Sequence, residues 1–222
     1  MRIVSVADTH LFTKDLPPLP EADVLIHAGD LLRGGTLEEL REGLHWLASQ
    51  RPRHKILVAG NHDWCFSRYR KKARHLTKEA GVLYLEDEGV ELEDIKFWGS
   101  PWQPAYHNWA FNLPRGAALA NKWSMIPADL DILITHSPPL GFGDRSPVPG
   151  RHGCAELAAR VKEVQPVVHI FGHIHQDGGL WKEEGITYIN ATTWECDRPA
   201  SLIDYRPKER SVQALCIPKA EW

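Results

Sequence analysis

The sequence predicts an α/β fold in which two β-sheets pack face to face with helices outside. Three observations carry this reading. Short, β-branched apolar runs recur along the chain, and each stops abruptly at a polar motif. Stretches with helical apolar spacing stand between several of these runs. A further set of short strand-like segments has no helix between its members, which implies a mixed or antiparallel sheet beside the first.

The first run, Ile3-Val4-Ser5-Val6-Ala7, stops at Asp8-Thr9-His10, and the second, Val24-Leu25-Ile26-His27-Ala28, at Gly29-Asp30. The third, Ile56-Leu57-Val58-Ala59, stops at Gly60-Asn61-His62-Asp63, and the fourth, Ile132-Leu133-Ile134-Thr135, at His136. The fifth, Val167-Val168-His169-Ile170-Phe171, stops at Gly172-His173-Ile174-His175. Runs this short and continuous suit strands buried on both faces. From Thr36 to Gln50, Leu37, Leu40, Leu44 and Leu47 mark an amphipathic helix, with Thr36 placed to cap it against Glu39. Ser67 to Ala80 is basic and helix-permissive, and Gly153 to Val164 carries Leu157, Val161 and Val164 on one stripe. Val82–Leu85, Val90–Leu92, Ile95–Trp98, Thr187–Ile189, Ser201–Ile203 and Val212–Ile217 are expected to form the second sheet. Ligands of open α/β sheets bind beyond the carboxyl ends of the strands. The five polar motifs should therefore meet along one edge.

Length and charge narrow the class. The chain has 222 residues and is read as a single domain over 1–222, long enough to bury a core without staples. A formal net charge of −3 argues against a nucleic-acid clamp. No apolar run approaches the roughly 20 residues of a membrane span, and the amino terminus reads as a strand, not a secretory signal. Cys65, Cys154, Cys196 and Cys216 show no metal-binding spacing and are expected to be free, mostly buried thiols. On these features the protein is expected to be cytoplasmic.

The unusual feature is 12 His and 9 Trp. In Asp8-x-His10, an extended chain would point both side chains to one side, where they could grip one cation. Asp30 has two carboxylate oxygens and can bridge two metals, Asn61 offers a neutral oxygen, and His173-x-His175 can give one imidazole to each of two ions. With His136, the set holds three oxygen-bearing groups and four imidazoles and no thiolate. It suits Mn, Fe, Ni, Co or Zn, and suits neither a structural zinc site nor calcium. Two cations roughly 3.5–4 Å apart clamp phosphate oxygens, neutralise transition-state charge and turn a bridging water into hydroxide for in-line attack on phosphorus. His62, outside that set, is the natural donor of a proton to the leaving group, with Asp63 as a candidate to orient it.

The ordered set Asp8-x-His10, Gly29-Asp30, Gly60-Asn61-His62-Asp63, His136 and Gly172-His173-x-His175 resembles the calcineurin-like metallophosphoesterase superfamily. The resemblance implies a four-layer αββα sandwich. It also implies two metal sites, with Asp8, His10, Asp30 and His175 on the first ion and Asp30, Asn61, His136 and His173 on the second. His62 matches the family's motif histidine, which touches the phosphate and assists the leaving group. The segments Trp98–Pro104, Thr135–Gly141 and Gly153-Cys154-x-Glu156-Leu157 resemble a subgroup of metallophosphoesterase-domain proteins, with members in animal brain and in bacteria. Some animal members carry glycine at the position of His173, a change that weakens metal binding; this chain keeps the histidine. The subgroup is associated with phosphodiesterase activity, cyclic nucleotides included.

The resulting expectation is a dinuclear-metal, Mn-favouring phosphodiesterase acting on small phosphodiesters, with nucleotides among the candidate substrates. Two readings compete with it. A phosphomonoesterase or protein phosphatase needs extra positive groups for a dianion, and the family's phosphatase branch has arginine where this chain has Asp63. A weakly catalytic metal- and nucleotide-binding protein would bind without turnover. Elsewhere, His27 and His169 read as core, and His45, His54 and His75 as surface. His152 reads as a loop residue. Trp64 and Trp102 read as packing residues near a long Pro-containing loop whose role in substrate choice is open.

Overall fold

In the computed structural model, which describes residues 1–218, the expected strands and helices are joined by a helix over Ala117–Trp123 and short strands over Gln103–Pro104, Asn112–Leu113 and Gly179–Glu183 that the sequence did not lead us to expect. Strands β1 (Arg2–Val6) and β2 (Val24–Ala28) precede helix α1 (Leu37–Ser49). After β3 (His54–Val58) come the short helices α2 (Trp64–Arg68) and α3 (Arg70–Glu79). Then follow β4 (Leu83–Tyr84), β5 (Glu88–Leu92), β6 (Ile95–Ser100), β7 (Gln103–Pro104), β8 (Asn112–Leu113) and α4 (Ala117–Trp123). The chain continues through β9 (Ile132–Thr135), α5 (Ala155–Val164), β10 (Val168–Phe171), β11 (Gly179–Glu183), β12 (Ile186–Asn190), β13 (Ser201–Arg206) and β14 (Ser211–Cys216).

Local chemistry accounts for the helix ends. Thr36 and Glu39 form the predicted capping box: the Glu39 N–H donates to Thr36 Oγ1 at 3.1 Å, and the Thr36 N–H to Glu39 Oε2 at 3.2 Å. The helix expected over Ser67–Ala80 starts earlier and is broken at Tyr69, whose ψ of 40° interrupts the helical path between α2 and α3. The stretch expected from Gly153 becomes helical at Ala155, with the Cys154 sulfur accepting from the Leu157 N–H.

Two mixed six-stranded sheets form, ordered β14-β13-β1-β2-β3-β4 and β11-β12-β10-β9-β6-β5. Here the structure departs from the expected partition. The five motif-bearing strands do not share one sheet: β1, β2 and β3 lie in the first, β9 and β10 in the second. The shorter strands are divided between the two sheets. Apolar content reports that a strand is buried on both faces but says nothing about which sheet it joins. β4 still pairs with β3 and β5 lies in the second sheet, so the turn between β4 and β5 carries the chain across.

The pleat explains why both faces are apolar. Ile3, Ile26, Ile56 and Val58 point between the sheets and meet Phe97, Ile132, Ile134, Val168 and Ile170. Their neighbours Val4, Val6, Leu25 and Leu57 point outward onto Leu40, Leu44 and Leu47 of α1 and Phe66 of α2. On the far side, Leu133 and Phe171 pack with Leu119 and Trp123 of α4 and Leu157, Val161 and Val164 of α5. The four layers are helix, sheet, sheet, helix. Cys65, Cys154 and Cys196 are buried and unpaired, and Cys216 is exposed. Among the described residues no helix is long and apolar enough to cross a membrane. The last four positions of the domain expected over 1–222 lie outside the described residues.

Candidate metal centre

Because β1, β2 and β3 run parallel, their carboxyl ends emerge together, and the loops beyond them stay paired. The Asp8 N–H donates to Gly29 O at 2.9 Å, and the His10 N–H to Asp30 O at 3.1 Å. The chain at Asp8-x-His10 is not extended, contrary to the expectation. Asp8 (φ 55°), His10 (φ 44°), Leu11 (φ 62°) and Asp30 (φ 54°) all adopt left-handed backbone. Left-handed residues outside glycine cost free energy and concentrate where a site over-determines them. Here they turn the Asp8, His10 and Asp30 side chains to one point.

The second sheet delivers its share across the gap. His136 follows β9, and His173, itself left-handed at φ 72°, follows β10. The His173 N–H donates to both oxygens of Asp8, at 3.1 and 3.0 Å, so one carboxylate ties the two sheets together. Two glycines permit the approach. A Cβ at Gly29, where φ is +100°, would lie 2.2 Å from His136 Nδ1, and one at Gly60 would lie 2.3 Å from Asp30 Oδ1.

All seven predicted ligand residues converge. His175 Nε2 lies 3.6 Å from Asp8 Oδ1, and His10 Nε2 lies 3.9 Å from Asp30 Oδ2. His136 Nε2 is 3.4 Å from Asp30 Oδ2 and 2.9 Å from Asn61 Oδ1, while His173 Nδ1 is 2.8 Å from the same amide oxygen. Three overlapping groups hold their donor atoms within 4.8 Å: Asp8, His10 and His175; His10, Asp30 and His62; Asp8, Asp30 and His136.

Backbone carbonyls determine which imidazole nitrogens face inward. A carbonyl only accepts, so His136 Nδ1, 3.0 Å from Ala28 O, and His10 Nδ1, 3.0 Å from Leu32 O, are the protonated nitrogens. In neutral histidines the Nε2 lone pairs then point at oxygens that carry lone pairs or negative charge. Such an arrangement is repulsive unless a cation or a proton sits among them. This donor chemistry fits divalent cations. In their absence the same repulsion drives protonation. Burial opposes charge on His136, but Asp30 and Asp8 outweigh it and push the imidazole up to about 9. Burial would likewise raise Asp8 and Asp30, yet His175 and His136 respectively hold these carboxyls far below the usual range. His173, buried and facing His136, is pushed down to about 4.

His62 stands at the edge of the cluster. Its Nδ1–H donates to the Arg33 carbonyl at 2.6 Å, and its ring meets the His10 ring edge-on at 4.6 Å. Asp63 does not orient it. The Asp63 carboxylate is fully buried and accepts from the N–H groups of Gly60 (2.8 Å), Leu32 (2.9 Å) and Leu31 (3.4 Å), joining the β2 and β3 loops. Burial and the nearby Asp30 push this carboxyl up to about 7, against those hydrogen bonds.

The remaining histidines divide as follows. His27 and His169 are buried, with Nε2 on Thr9 Oγ1 and Thr135 Oγ1 at 2.9 and 2.8 Å. His45, His75 and His107 are exposed, and His54 is half-buried. His152 joins His173, Ser137 and Arg115 in lining a cavity of about 300 Å³ beside the cluster. Trp102 packs against Phe111 and donates to Asp87, and Trp64 lies under Arg68. Sequence reading missed three neighbours of the cluster: Trp109 on the His62 ring, Arg33 on the His10 carbonyl and Arg198 on the His175 carbonyl. All three lie outside the strand-end motifs, where no spacing rule singles them out.

Comparison with known proteins agrees with this architecture. Residues 1–177 match the family model described as calcineurin-like phosphoesterase. Human metallophosphoesterase domain-containing protein 1 is 41% identical over 214 residues, covering 86% of this chain and 65% of the human protein. This chain thus spans about two thirds of the human protein's length. A UPF0046 protein of Caenorhabditis elegans is 34% identical over 223 residues, covering 93% of this chain and 73% of its own length. Among solved structures, the protein TT1561 of Thermus thermophilus superposes with a TM-score of 0.65 at 14% identity, covering 96% of this chain and 97% of that one. The structure of a novel archaeal phosphodiesterase superposes with a TM-score of 0.54 at 16% identity, covering 98% of this chain and all of the other. With its five strand-end motifs gathered at one edge of an αββα sandwich, the chain belongs to the calcineurin-like phosphoesterase family.

Proposed function

We propose that the protein is a divalent-metal phosphodiesterase of the cytoplasm, acting on small phosphodiesters, cyclic nucleotides among them. One observation carries this reading: seven oxygen and imidazole donors from both sheets converge on a buried cluster, with inward tautomers set by backbone carbonyls. In this reading Asp8, His10, Asp30 and His175 hold one ion, and Asp30, Asn61, His136 and His173 the other, with Mn the favoured metal. Such a pair, when bound, neutralises phosphate charge and lowers the pKa of water. His62 is the acid. Its Nδ1–H is committed to Arg33 O, so Nε2 is the nitrogen left for substrate. The imidazolium donates its Nε2 proton to the leaving oxygen and remains as the neutral Nδ1–H tautomer. Asn61 and His62 together contact the phosphate.

The preference for diesters rests on Asp63. The position beside the Asn-His motif carries a buried carboxylate occupied with backbone amides, so it supplies no positive charge for a monoester dianion. The three buried unpaired thiols support a reducing compartment.

Purified protein with Mn²⁺ should hydrolyse bis-p-nitrophenyl phosphate faster than p-nitrophenyl phosphate, and Asp30→Ala should abolish both activities. A wild type inert with Mn²⁺, Ni²⁺, Co²⁺ and Zn²⁺ overturns the enzymatic reading, and faster monoester turnover overturns the diester preference.

A further inference from the structure

We propose that Trp109 is a positioning residue for His62: its indole face and the edge of His10 hold the imidazole in the single orientation that points Nε2 at the substrate. The inference rests on the reading of His62 as the acid and adds a residue that no strand-end motif contains.

Among the described residues the His62 ring makes one hydrogen bond, Nδ1–H to Arg33 O at 2.6 Å. A single hydrogen bond anchors one nitrogen and leaves the ring free to swing about it. Two further contacts remove that freedom. The His10 ring meets His62 at 4.6 Å and 80°, and the Trp109 ring covers it at 4.2 Å with a tilt of 37°. His10 is itself held at Nδ1 by Leu32 O, so that side is rigid. Trp109 closes the other side.

The loop that carries Trp109 is built to hold it there. The Ala110 N–H donates to Asn61 O at 3.2 Å, which ties the loop to the residue preceding His62. Left-handed turns at His107 (φ 49°) and Phe111 (φ 58°) bracket the tryptophan. The Asn112 side-chain amide donates to Tyr106 O and His107 O at 3.1 and 3.0 Å and accepts from Gln103 Nε2 at 2.9 Å, closing the loop across its base. A flexible loop would not present a flat ring at van der Waals distance from a histidine. This one is fastened at both ends and at the motif itself.

A double-mutant cycle tests the proposal, with a structural readout beside it. Trp109→Ala should lower kcat on 3′,5′-cyclic AMP, whose alkoxide leaving group needs the proton that p-nitrophenolate does not, about a hundredfold, a loss that misplacing a catalytic group by about 1 Å can bring. KM and bound metal, measured by elemental analysis, should stay close to wild type, and Trp109→Phe should restore most of the rate because it keeps a flat ring. In a His62→Ala background, Trp109→Ala should cost nothing further. In the metal-free protein, the His62 ring protons, assigned by their loss in His62→Ala, should show a ring-current shift in the NMR spectrum that disappears in Trp109→Ala. If the alanine variant unfolds, Trp109→Leu, which keeps bulk without the flat face, is read in its place. An unchanged kcat in Trp109→Ala, a full further loss in the His62→Ala background, or an unshifted His62 resonance overturns the proposal. A wild-type rate in His62→Ala instead overturns the parent reading of His62 as the acid, and the NMR shift still reports whether Trp109 orients the ring.

Discussion

Replacing Asp63 by alanine should cost more stability than any surface substitution, because three buried backbone amides converge on its carboxylate. Oδ2 accepts from Gly60 and Leu31, and Oδ1 from Leu32, and the residue is fully buried. Each donor stranded without a partner costs about 1–3 kcal/mol. The Leu31 contact, at 3.4 Å, is the weakest, so the loss for alanine should total about 3–6 kcal/mol. That is a large part of a typical domain stability of about 5–15 kcal/mol. Asp63→Asn should fall between. Its amide oxygen can replace one carboxylate oxygen, but its NH₂ then faces an N–H donor on the other side. Urea unfolding followed by tryptophan fluorescence reads the order wild type, Asn, Ala. The two loops that Asp63 joins also carry Asp30 and Asn61, so both variants should bind less metal in proportion to their loss of stability. An alanine variant within about 1 kcal/mol of wild type would show that these hydrogen bonds are not what holds the loops.

Two further outcomes follow from the geometry. Gly60→Ala places a methyl 2.3 Å from Asp30 Oδ1 and should abolish metal binding and activity while leaving the far-UV spectrum intact; retained stoichiometric metal would refute it. His169 is buried neutral, pushed down to about 3 by burial, whereas an unfolded histidine titrates near its ordinary value. Between those values the unfolded chain binds the extra proton, so stability falls as pH drops below about 6.5, by about 2 kcal/mol at pH 5 from this residue. His169→Gln should flatten the fall of urea midpoint between pH 7 and 5, and parallel wild-type and variant curves would refute it.

The histidine-rich cluster shows how far a one-dimensional pattern reaches. Each of its members stands directly after an apolar run, so their meeting at one edge follows from strand direction alone, whichever sheet each strand joins. Thr36 and Glu39 were equally legible, because a capping box is a local hydrogen-bond exchange. Asp63 was misread for the opposite reason. Adjacent to His62 in sequence, it points away from that ring and onto amides of Leu31 and Leu32, partners that only loop packing brings near.

By itself the sequence determined the four-layer class, the strand ends and the identity of the residues gathered there, because burial on both faces and abrupt polar stops are written in neighbouring positions. Tertiary structure alone decided three things: the split of the motif strands between two sheets, the left-handed turns that aim Asp8, His10, Asp30 and His173, and the placing of Trp109 over His62. Each of these depends on contacts between residues distant along the chain, whose energies no local periodicity encodes.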